Sequence, residues 1–118
     1  MRVLFVEDNE LVRTSTAEML RTFGLDLIDA GSVDEALALL REHRFELLLT
    51  DVDLAGQSGV ELAIAACRGA PQLGVVFVTG YDLALSDDER RALPRSVQVR
   101  KPFDPLALIN ALNAAVAR

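Results

Sequence analysis

Five short apolar runs, separated by amphipathic stretches, constrain the fold of this chain more than any other feature. The runs cover residues 3–6, 25–28, 45–50, 74–78 and 97–99. Each interval between them is long enough for a crossover helix joining two parallel strands. The third and fourth runs are apolar without alternation, which is typical of central strands covered by helices on both faces. We therefore expect an α/β fold with a doubly wound, five-stranded parallel sheet.

Capping motifs indicate where the intervening helices begin. The pattern Ser-x-x-Glu starts at Ser32, Ser58 and Ser86, and in such a box the two side chains reciprocally satisfy free backbone N–H groups. Gly24 follows the first helical stretch and can end it in a left-handed conformation. Pro94 limits the fourth helix to about residues 87–93.

Helical spacing also predicts which side chains the first and last helices bury. A first helix starting near Asn9 would bury Val12, Met19, Leu20 and Phe23. A last helix, with Asp104 as its N-cap and Pro105 in its first turn, would bury Leu106, Ile109, Leu112 and Val116.

Length and charge exclude several classes of protein. A chain of 118 residues fits one domain, so we expect residues 1–118 to form a single domain without an effector domain. A net charge of −6 disfavours binding to nucleic acid or anionic membranes.

The lone Cys67 excludes an internal disulfide and is expected to be a buried thiol. No apolar run reaches the length of a membrane span or a signal-peptide core, which predicts a cytoplasmic location.

Polar side chains follow the predicted strands where parallel strands end at a common edge. Glu7 and Asp8 follow the first strand, Asp51 the third, Thr79 the fourth and Lys101 the fifth. Clustered carboxylates need a cation, and a set of oxygen ligands suits Mg²⁺. One carboxylate could then attack a phosphoryl group to form an acyl phosphate, with a fixed cation and a hydroxyl donor beside it.

Four ordered motifs closely resemble the receiver domain of two-component response regulators. They are Val-Leu-Phe-Val-Glu-Asp-Asn at 3–9, Leu-Leu-Leu-Thr-Asp at 47–51, Val-Thr-Gly at 78–80 and Lys-Pro-Phe at 101–103. The resemblance covers the chain end to end and implies a flavodoxin-like sheet of order 2-1-3-4-5 with five flanking helices. It also implies a stand-alone receiver of the chemotaxis type. Its partners would be a sensor histidine kinase or histidine phosphotransfer protein, and a downstream protein target.

The resemblance further implies a role for each site residue. Asp51 would be the phosphoacceptor. Asp8, Asp51 and the backbone carbonyl of Asp53 would hold Mg²⁺, which Mn²⁺ could replace, and Glu7 would assist through water. Thr79 and Lys101 would contact the phosphoryl oxygens. Pro102 would follow a cis peptide bond that directs Lys101 towards the site.

Several positions depart from the usual receiver pattern. Ala55 replaces a proline in the loop after the acceptor, which predicts a more mobile loop. Gly80 replaces the small alanine that usually follows the threonine. Gln98 replaces an aromatic side chain that usually transmits the switch, so Tyr81 is the candidate aromatic for that role.

Two other functions are compatible with parts of this pattern. A receiver-like module could bind proteins without being phosphorylated. Residues 51–55 also come within one residue of the Asp-x-Asp-x-Thr/Val motif of haloacid-dehalogenase-like phosphatases, although that motif should follow the first strand. The main interpretation is a protein that phosphorylates and dephosphorylates itself at Asp51 without turning over an external substrate.

Overall fold

The computed structural model describes residues 1–117 as one five-stranded sheet, five helices and a two-stranded hairpin. In chain order, the elements are β1 (Arg2–Val6), α1 (Glu10–Thr22), β2 (Asp26–Ala30), α2 (Val33–Glu42), β3 (Leu47–Asp51), β4 (Asp53–Leu54), β5 (Gln57–Ser58), α3 (Gly59–Gly69), β6 (Gly74–Thr79), α4 (Asp87–Ala92), β7 (Ser96–Arg100) and α5 (Pro105–Ala117). Each of the five predicted apolar runs overlaps a strand of the main sheet.

The main sheet has the order β2-β1-β3-β6-β7, and all its pairings are parallel. Counted among the five long strands alone, this is the predicted order 2-1-3-4-5. The order reverses between β1 and β3, so a crevice forms where their carboxyl ends diverge. The flavodoxin-like fold inferred from the sequence is confirmed.

Both faces of the central strands β1, β3 and β6 are buried because helices cover each side of the sheet. On β3, Leu48 belongs to the apolar cluster that includes residues of α2 and α3. Its neighbours Leu47 and Leu49 belong to the opposite cluster, with residues of α1 and α5. Successive side chains of a strand point to opposite faces, which explains why this run is apolar without alternation.

The hairpin β4–β5 is a feature that sequence reasoning missed. Leu54 pairs with Gln57, so Ala55 and Gly56 form a two-residue turn with φ values of 50° and 86°. Positive φ at both positions is typical of the turn that joins two short antiparallel strands. Proline, with φ near −65°, could not occupy position 55 in this turn, which accounts for the departure from the receiver pattern.

The caps predicted at Ser32, Ser58, Ser86 and Asp104 are present, and Asn9, near which the sequence predicts the start of the first helix, is also a cap. Asn9, Ser32, Ser58 and Ser86 each accept a hydrogen bond from a backbone N–H in the first turn of the following helix. Only Ser86 forms the complete reciprocal box within residues 1–117, because the Glu89 side chain also accepts from the Ser86 N–H. Asp104 caps α5 by accepting from the Ala107 N–H at 2.7 Å. Gly24 ends the first helical segment with a φ of 86°, as expected.

The buried faces of the first and last helices were predicted only in part. In α1, Leu20 is buried and Met19 packs against the core, but Val12 and Phe23 are exposed. In α5, Leu112 is buried and Ile109 packs against the core, whereas Leu106 and Val116 are exposed. The residues of α5 that face the sheet are Leu108, Ala111, Leu112 and Ala115.

The error in α5 has a physical cause in its composition. Most of its residues are apolar, so several stripes along the helix have the right spacing and the pattern does not determine which one faces inward. The small side chains of Ala111 and Ala115 allow α5 to lie close to the sheet.

The single cysteine lies where the sequence places it. Cys67 is buried in α3, as predicted. No helix within residues 1–117 is long and apolar enough to cross a membrane.

Candidate functional site

The carboxyl edge of the sheet brings together the polar residues that the sequence singled out. Glu7 directly follows β1, and Asp51 is the last residue of β3. Thr79 ends β6 and Lys101 follows β7, with the Lys101 N–H donating to the Thr79 carbonyl at 2.8 Å. Because all these strands are parallel, side chains distant in the sequence converge on one crevice.

The shortest polar contact in this crevice joins Lys101 to Asp51. The Lys101 Nζ donates to Asp51 Oδ2 at 2.6 Å, and the Asp53 N–H donates to Asp51 Oδ1 at 3.2 Å. The Asp51 side chain is 13% exposed, so it lies mostly within the crevice but remains open to a reactant. Both carboxylate oxygens of Asp51 therefore have hydrogen-bond donors.

The charge of Lys101 is maintained by its acidic surroundings. Burial by itself lowers the pKa of the ammonium group. The hydrogen bond and charge of Asp51, with the charges of Glu7 and Asp8, outweigh burial and raise this pKa above its ordinary value. Lys101 is thus a fixed cation at neutral pH.

Glu7 is the buried carboxylate of the site. Burial raises the pKa of Glu7 above its ordinary value, and Asp8 and Asp51 act in the same direction. The Asn9 N–H, which donates to Glu7 Oε2 at 3.0 Å, partly opposes this shift. Carboxylates crowded in this way favour a bound cation because it would relieve their mutual repulsion.

The donor set fits a hard divalent cation. Glu7, Asp8 and Asp51 supply carboxylate oxygens near the carboxyl edge of the sheet. Asp53, two residues after Asp51 at the start of β4, supplies a backbone carbonyl oxygen. Within residues 1–117, no group of three or more His, Cys, Asp or Glu side chains is arranged as a direct metal cage. Mg²⁺ commonly takes only one or two carboxylates and keeps several waters, so these residues suit Mg²⁺ better than a structural metal.

The Thr79 hydroxyl hydrogen-bonds to the backbone of the loop that follows β6. This buried side chain donates from Oγ1 to the Tyr81 carbonyl at 2.9 Å and accepts from the Tyr81 N–H at 3.1 Å. The Tyr81 ring is half exposed, and its hydroxyl lies 3.5 Å from Asp53 Oδ2. Gly80, between the two, is exposed, and a side-chain carbon added there would meet nothing within 4 Å.

Gln98 holds the loop between β6 and α4 instead of acting as an aromatic switch. Its Oε1 accepts from the Leu83 N–H at 3.2 Å, and its Nε2 donates to the Leu83 carbonyl at 2.8 Å. Arg100, two residues along β7, donates to Asp82 Oδ1 at 2.6 Å and to the Gly80 carbonyl at 3.3 Å. Alternation along β7 places Gln98 and Arg100 on one face, but no local sequence signal identifies their partners.

Two further residues contact the backbone of the site: Arg13, which the sequence did not single out, and Gly59, which matches the receiver pattern in the loop after the acceptor. Arg13 donates from Nη1 to the Glu7 carbonyl at 2.9 Å and forms an ion pair with Asp29 at 3.3 Å. The Gly59 N–H donates to the Val52 carbonyl at 2.7 Å, which brings the start of α3 against the backbone after Asp51. The peptide bond between Lys101 and Pro102 is cis, as the sequence predicts.

A parallel sheet of this order, with acidic residues and a lysine at its carboxyl edge, defines the class of receiver-type α/β domains. The family model described as the response regulator receiver domain matches residues 3–113. This chain belongs to the response regulator receiver family.

Relatives of this chain range from a receiver protein of similar length to a much longer sensor protein. The transcriptional regulatory protein PdtaR of Mycobacterium tuberculosis is 34% identical, across 99% of this chain and 57% of PdtaR. The virulence sensor protein BvgS of Bordetella pertussis is 37% identical, across all of this chain but 10% of BvgS. The receiver protein CpdR of Brucella abortus is 31% identical, across 94% of this chain and 92% of CpdR.

Solved structures show the same fold. The chemotaxis protein CheY4 of Vibrio cholerae superposes with a TM-score of 0.85, covers 97% of each chain and is 24% identical. At that identity the similarity concerns the fold alone.

Proposed function

We propose that this chain is a phosphoacceptor in a two-component phosphorelay. Asp51 would receive a phosphoryl group from a phosphohistidine on a sensor histidine kinase or a histidine phosphotransfer protein. The observation that carries this proposal is the 2.6 Å contact between Lys101 Nζ and Asp51 Oδ2 in a crevice that also contains Glu7 and Asp8. Receiver domains as a family interact with such kinases or phosphotransfer proteins. The proximity of Lys101 to Asp51, Glu7 and Asp8 supports the same role for this chain.

In the proposed reaction, an Asp51 carboxylate oxygen attacks phosphorus as the bond from phosphorus to the histidine nitrogen breaks. The electron pair of that bond returns to the imidazole. The Lys101 ammonium, already bonded to one Asp51 oxygen, is placed to stabilise negative charge on the incoming phosphoryl oxygens. Hydrolysis of the acyl phosphate at the same site would return Asp51 to its free form, without turnover of another substrate.

The acidic residues would hold Mg²⁺ in this reaction. We assign Asp8, Asp51 and the Asp53 backbone carbonyl as ligands, with Glu7 acting through water. The metal, when bound, neutralises charge on the phosphoryl oxygens. Mn²⁺ has similar preferences for oxygen ligands and could take the same place.

Phosphorylation would be signalled through the loop after Thr79. The Thr79 hydroxyl donates to the Tyr81 carbonyl at 2.9 Å, so contact with a phosphoryl oxygen requires that bond to be exchanged. Gly80 supplies backbone freedom for this movement, and the bonds of Gln98 to Leu83 oppose it. The altered loop would then contact a downstream protein target.

The movement of this loop can be followed without a label. Tyr81 is the sole tyrosine and the chain has no tryptophan. Adding Mg²⁺ with beryllium fluoride, a phosphoryl mimic, should change the Tyr81 emission or its quenching by iodide, but not in Asp51→Asn. Unchanged emission and quenching, with binding of the mimic shown by calorimetry, would remove Tyr81 from the switch.

Mass spectrometry tests the phosphoacceptor itself. Incubation with Mg²⁺ and acetyl phosphate should add one phosphoryl group to the native protein and to Asp53→Asn, but none to Asp51→Asn. Removal of Mg²⁺ with EDTA should abolish the gain. A folded native protein that gains no phosphate would support the alternative, a binding module that works without phosphorylation. A label on Asp8 or Asp53 would contradict the assigned role of Asp51.

The phosphatase alternative receives no support from the fold, because the Asp-x-Asp sequence follows β3 rather than β1. That residues 1–118 act as a stand-alone receiver stays a prediction. Immunoblotting of the source cells would test it, since a larger endogenous product would show that further domains belong to the same chain.

A further inference from the structure

The pairing of the arginine side chains is uneven across the molecule. Six arginines form ion pairs with aspartates: Arg2, Arg13, Arg21, Arg90, Arg91 and Arg100. Four others have no carboxylate partner within residues 1–117, namely Arg41, Arg44, Arg68 and Arg95. Three of these four, Arg41, Arg44 and Arg95, line the same cavity.

This cavity lies at the amino edge of the sheet, opposite the crevice that contains Asp51. Its lining includes Phe45, just before β3, Leu73, just before β6, and Arg95, just before β7. Its volume is about 750 Å³, within the range that accommodates a drug-sized ligand or a few peptide residues. The cavity is therefore separate from the phosphoacceptor site.

The lining combines an apolar floor with cationic side chains. Phe45, Ala66 and Leu73 are buried apolar residues of the core that reach this cavity. Glu46 is the acidic residue of the lining, and its Oε2 accepts from the Arg2 N–H at 2.7 Å. A ligand that fits this lining carries negative charge next to an apolar group.

The requirements of the fold do not account for all three arginines. Arg41 lies in the last turn of α2, where a cation complements the helix dipole. Arg44 lies beyond the end of α2, so it lacks that explanation. Arg95 precedes β7, and its Nη1 donates to the Val116 carbonyl in the last turn of α5 at 3.4 Å, but its charge has no carboxylate partner within residues 1–117. Three positive charges around one opening also contrast with the net charge of −6, and they make this opening attractive to anions.

We propose that this cavity binds an acidic peptide segment of a partner protein. A leucine-sized side chain would cover the apolar floor at Phe45 and Leu73, and flanking carboxylates would pair with Arg41, Arg44 and Arg95. The arginines come from separate segments around the opening, and an extended peptide can present several carboxylates to them at once. This site would act independently of phosphorylation at Asp51.

Fluorescence anisotropy with a labelled peptide, Glu-Glu-Leu-Leu-Glu-Glu, tests the proposal. The peptide should bind saturably and should shift the amide NMR signals of Phe45 and Leu73 rather than those around Asp51. Replacing its glutamates with lysine, or its leucines with glycine, should abolish binding. The variant Asp51→Asn should bind the peptide as the native protein does, so a failure of the phosphoacceptor proposal would leave this result unchanged.

Charge reversal locates the site. Arg44→Glu and Arg95→Glu should each weaken binding by about tenfold, because an attraction becomes a repulsion. Arg68→Glu makes the same change in net charge at an unpaired arginine outside the lining, and should weaken binding by no more than about twofold. The absence of saturable binding, equal binding of the lysine or glycine peptide, or equal weakening by Arg68→Glu would each overturn the proposal.

Discussion

Substitution of Gly59 by alanine tests how closely the backbone of the site is packed. Gly59 is the first residue of α3, and its N–H donates to the Val52 carbonyl. A side-chain carbon added at Gly59 would lie 2.0 Å from the Asp51 carbonyl oxygen and 3.1 Å from the Val52 Cα. Both neighbours are backbone atoms, so no flexible side chain can move aside to make room.

The size of the effect follows from that distance. Relief of the overlap requires α3 and the backbone at Asp51 to separate by more than about 1 Å, since carbon and oxygen pack at roughly 3.4 Å or more. We expect Gly59→Ala to lower the free energy of unfolding by about 2–3 kcal/mol, the upper part of the range for overpacking. For a domain of this size, Tm should fall by roughly 8–12 °C.

Gly69→Ala is the matched control because Gly69 is the last residue of the same helix. A carbon added there would meet nothing within 4 Å, so its stability should change by less than about 1 kcal/mol. Thermal unfolding followed by circular dichroism measures both variants. Gly59→Ala should also accept phosphate from acetyl phosphate more slowly, because the displaced atoms belong to Asp51. Equal Tm values for the two variants, or a native rate of phosphorylation in Gly59→Ala, would refute this reasoning.

Three further measurements examine other parts of the structure. Gln98→Ala removes both hydrogen bonds to the Leu83 backbone, so hydrogen exchange of the Leu83 amide should accelerate and beryllium fluoride should bind more tightly. Unchanged exchange would show that these bonds do not hold the loop. The Cys67 thiol should resist a disulfide reagent until the protein unfolds, because burial raises its pKa; rapid reaction under native conditions would contradict this. Partial desolvation and the charge of Asp53 raise the pKa of Tyr81, so its tyrosinate absorbance should appear above the ordinary value near 10, and Asp53→Asn should lower the midpoint. An identical midpoint in Asp53→Asn would show that the carboxylate does not act on Tyr81.

Local sequence patterns were sufficient to predict most of the architecture. The apolar runs located all five long strands. In β1, β3 and β6, burial on both faces imposes an apolar composition that needs no knowledge of neighbouring strands, whereas the edge strands β2 and β7 are only partly buried and have shorter apolar runs. The caps at Asn9, Ser32, Ser58 and Ser86 were also predictable, since each depends on residues within one helical turn. The same local patterns did not indicate the hairpin β4–β5, whose strands have only two residues each.

The candidate site was predictable as a set of residues but not as a set of contacts. Parallel strands share a carboxyl edge, so Glu7, Asp51, Thr79 and Lys101 could be placed together from their positions after the apolar runs. The orientation of the Thr79 hydroxyl towards Tyr81 depends on the conformation of a loop, which no periodicity describes.

The sequence by itself thus determined the elements, their alternation and the edge of the sheet that carries the chemistry, because these features depend on residues that are close along the chain. Tertiary structure decided which stripe of α5 faces the sheet and that the Gln98 side chain hydrogen-bonds to the Leu83 backbone. It also placed Arg44 and Arg95 around the same cavity. Residues 44 and 95 belong to segments separated by two strands of the main sheet, β3 and β6. Such contacts form only when the whole sheet is assembled, so the shape and packing of the complete fold specify them.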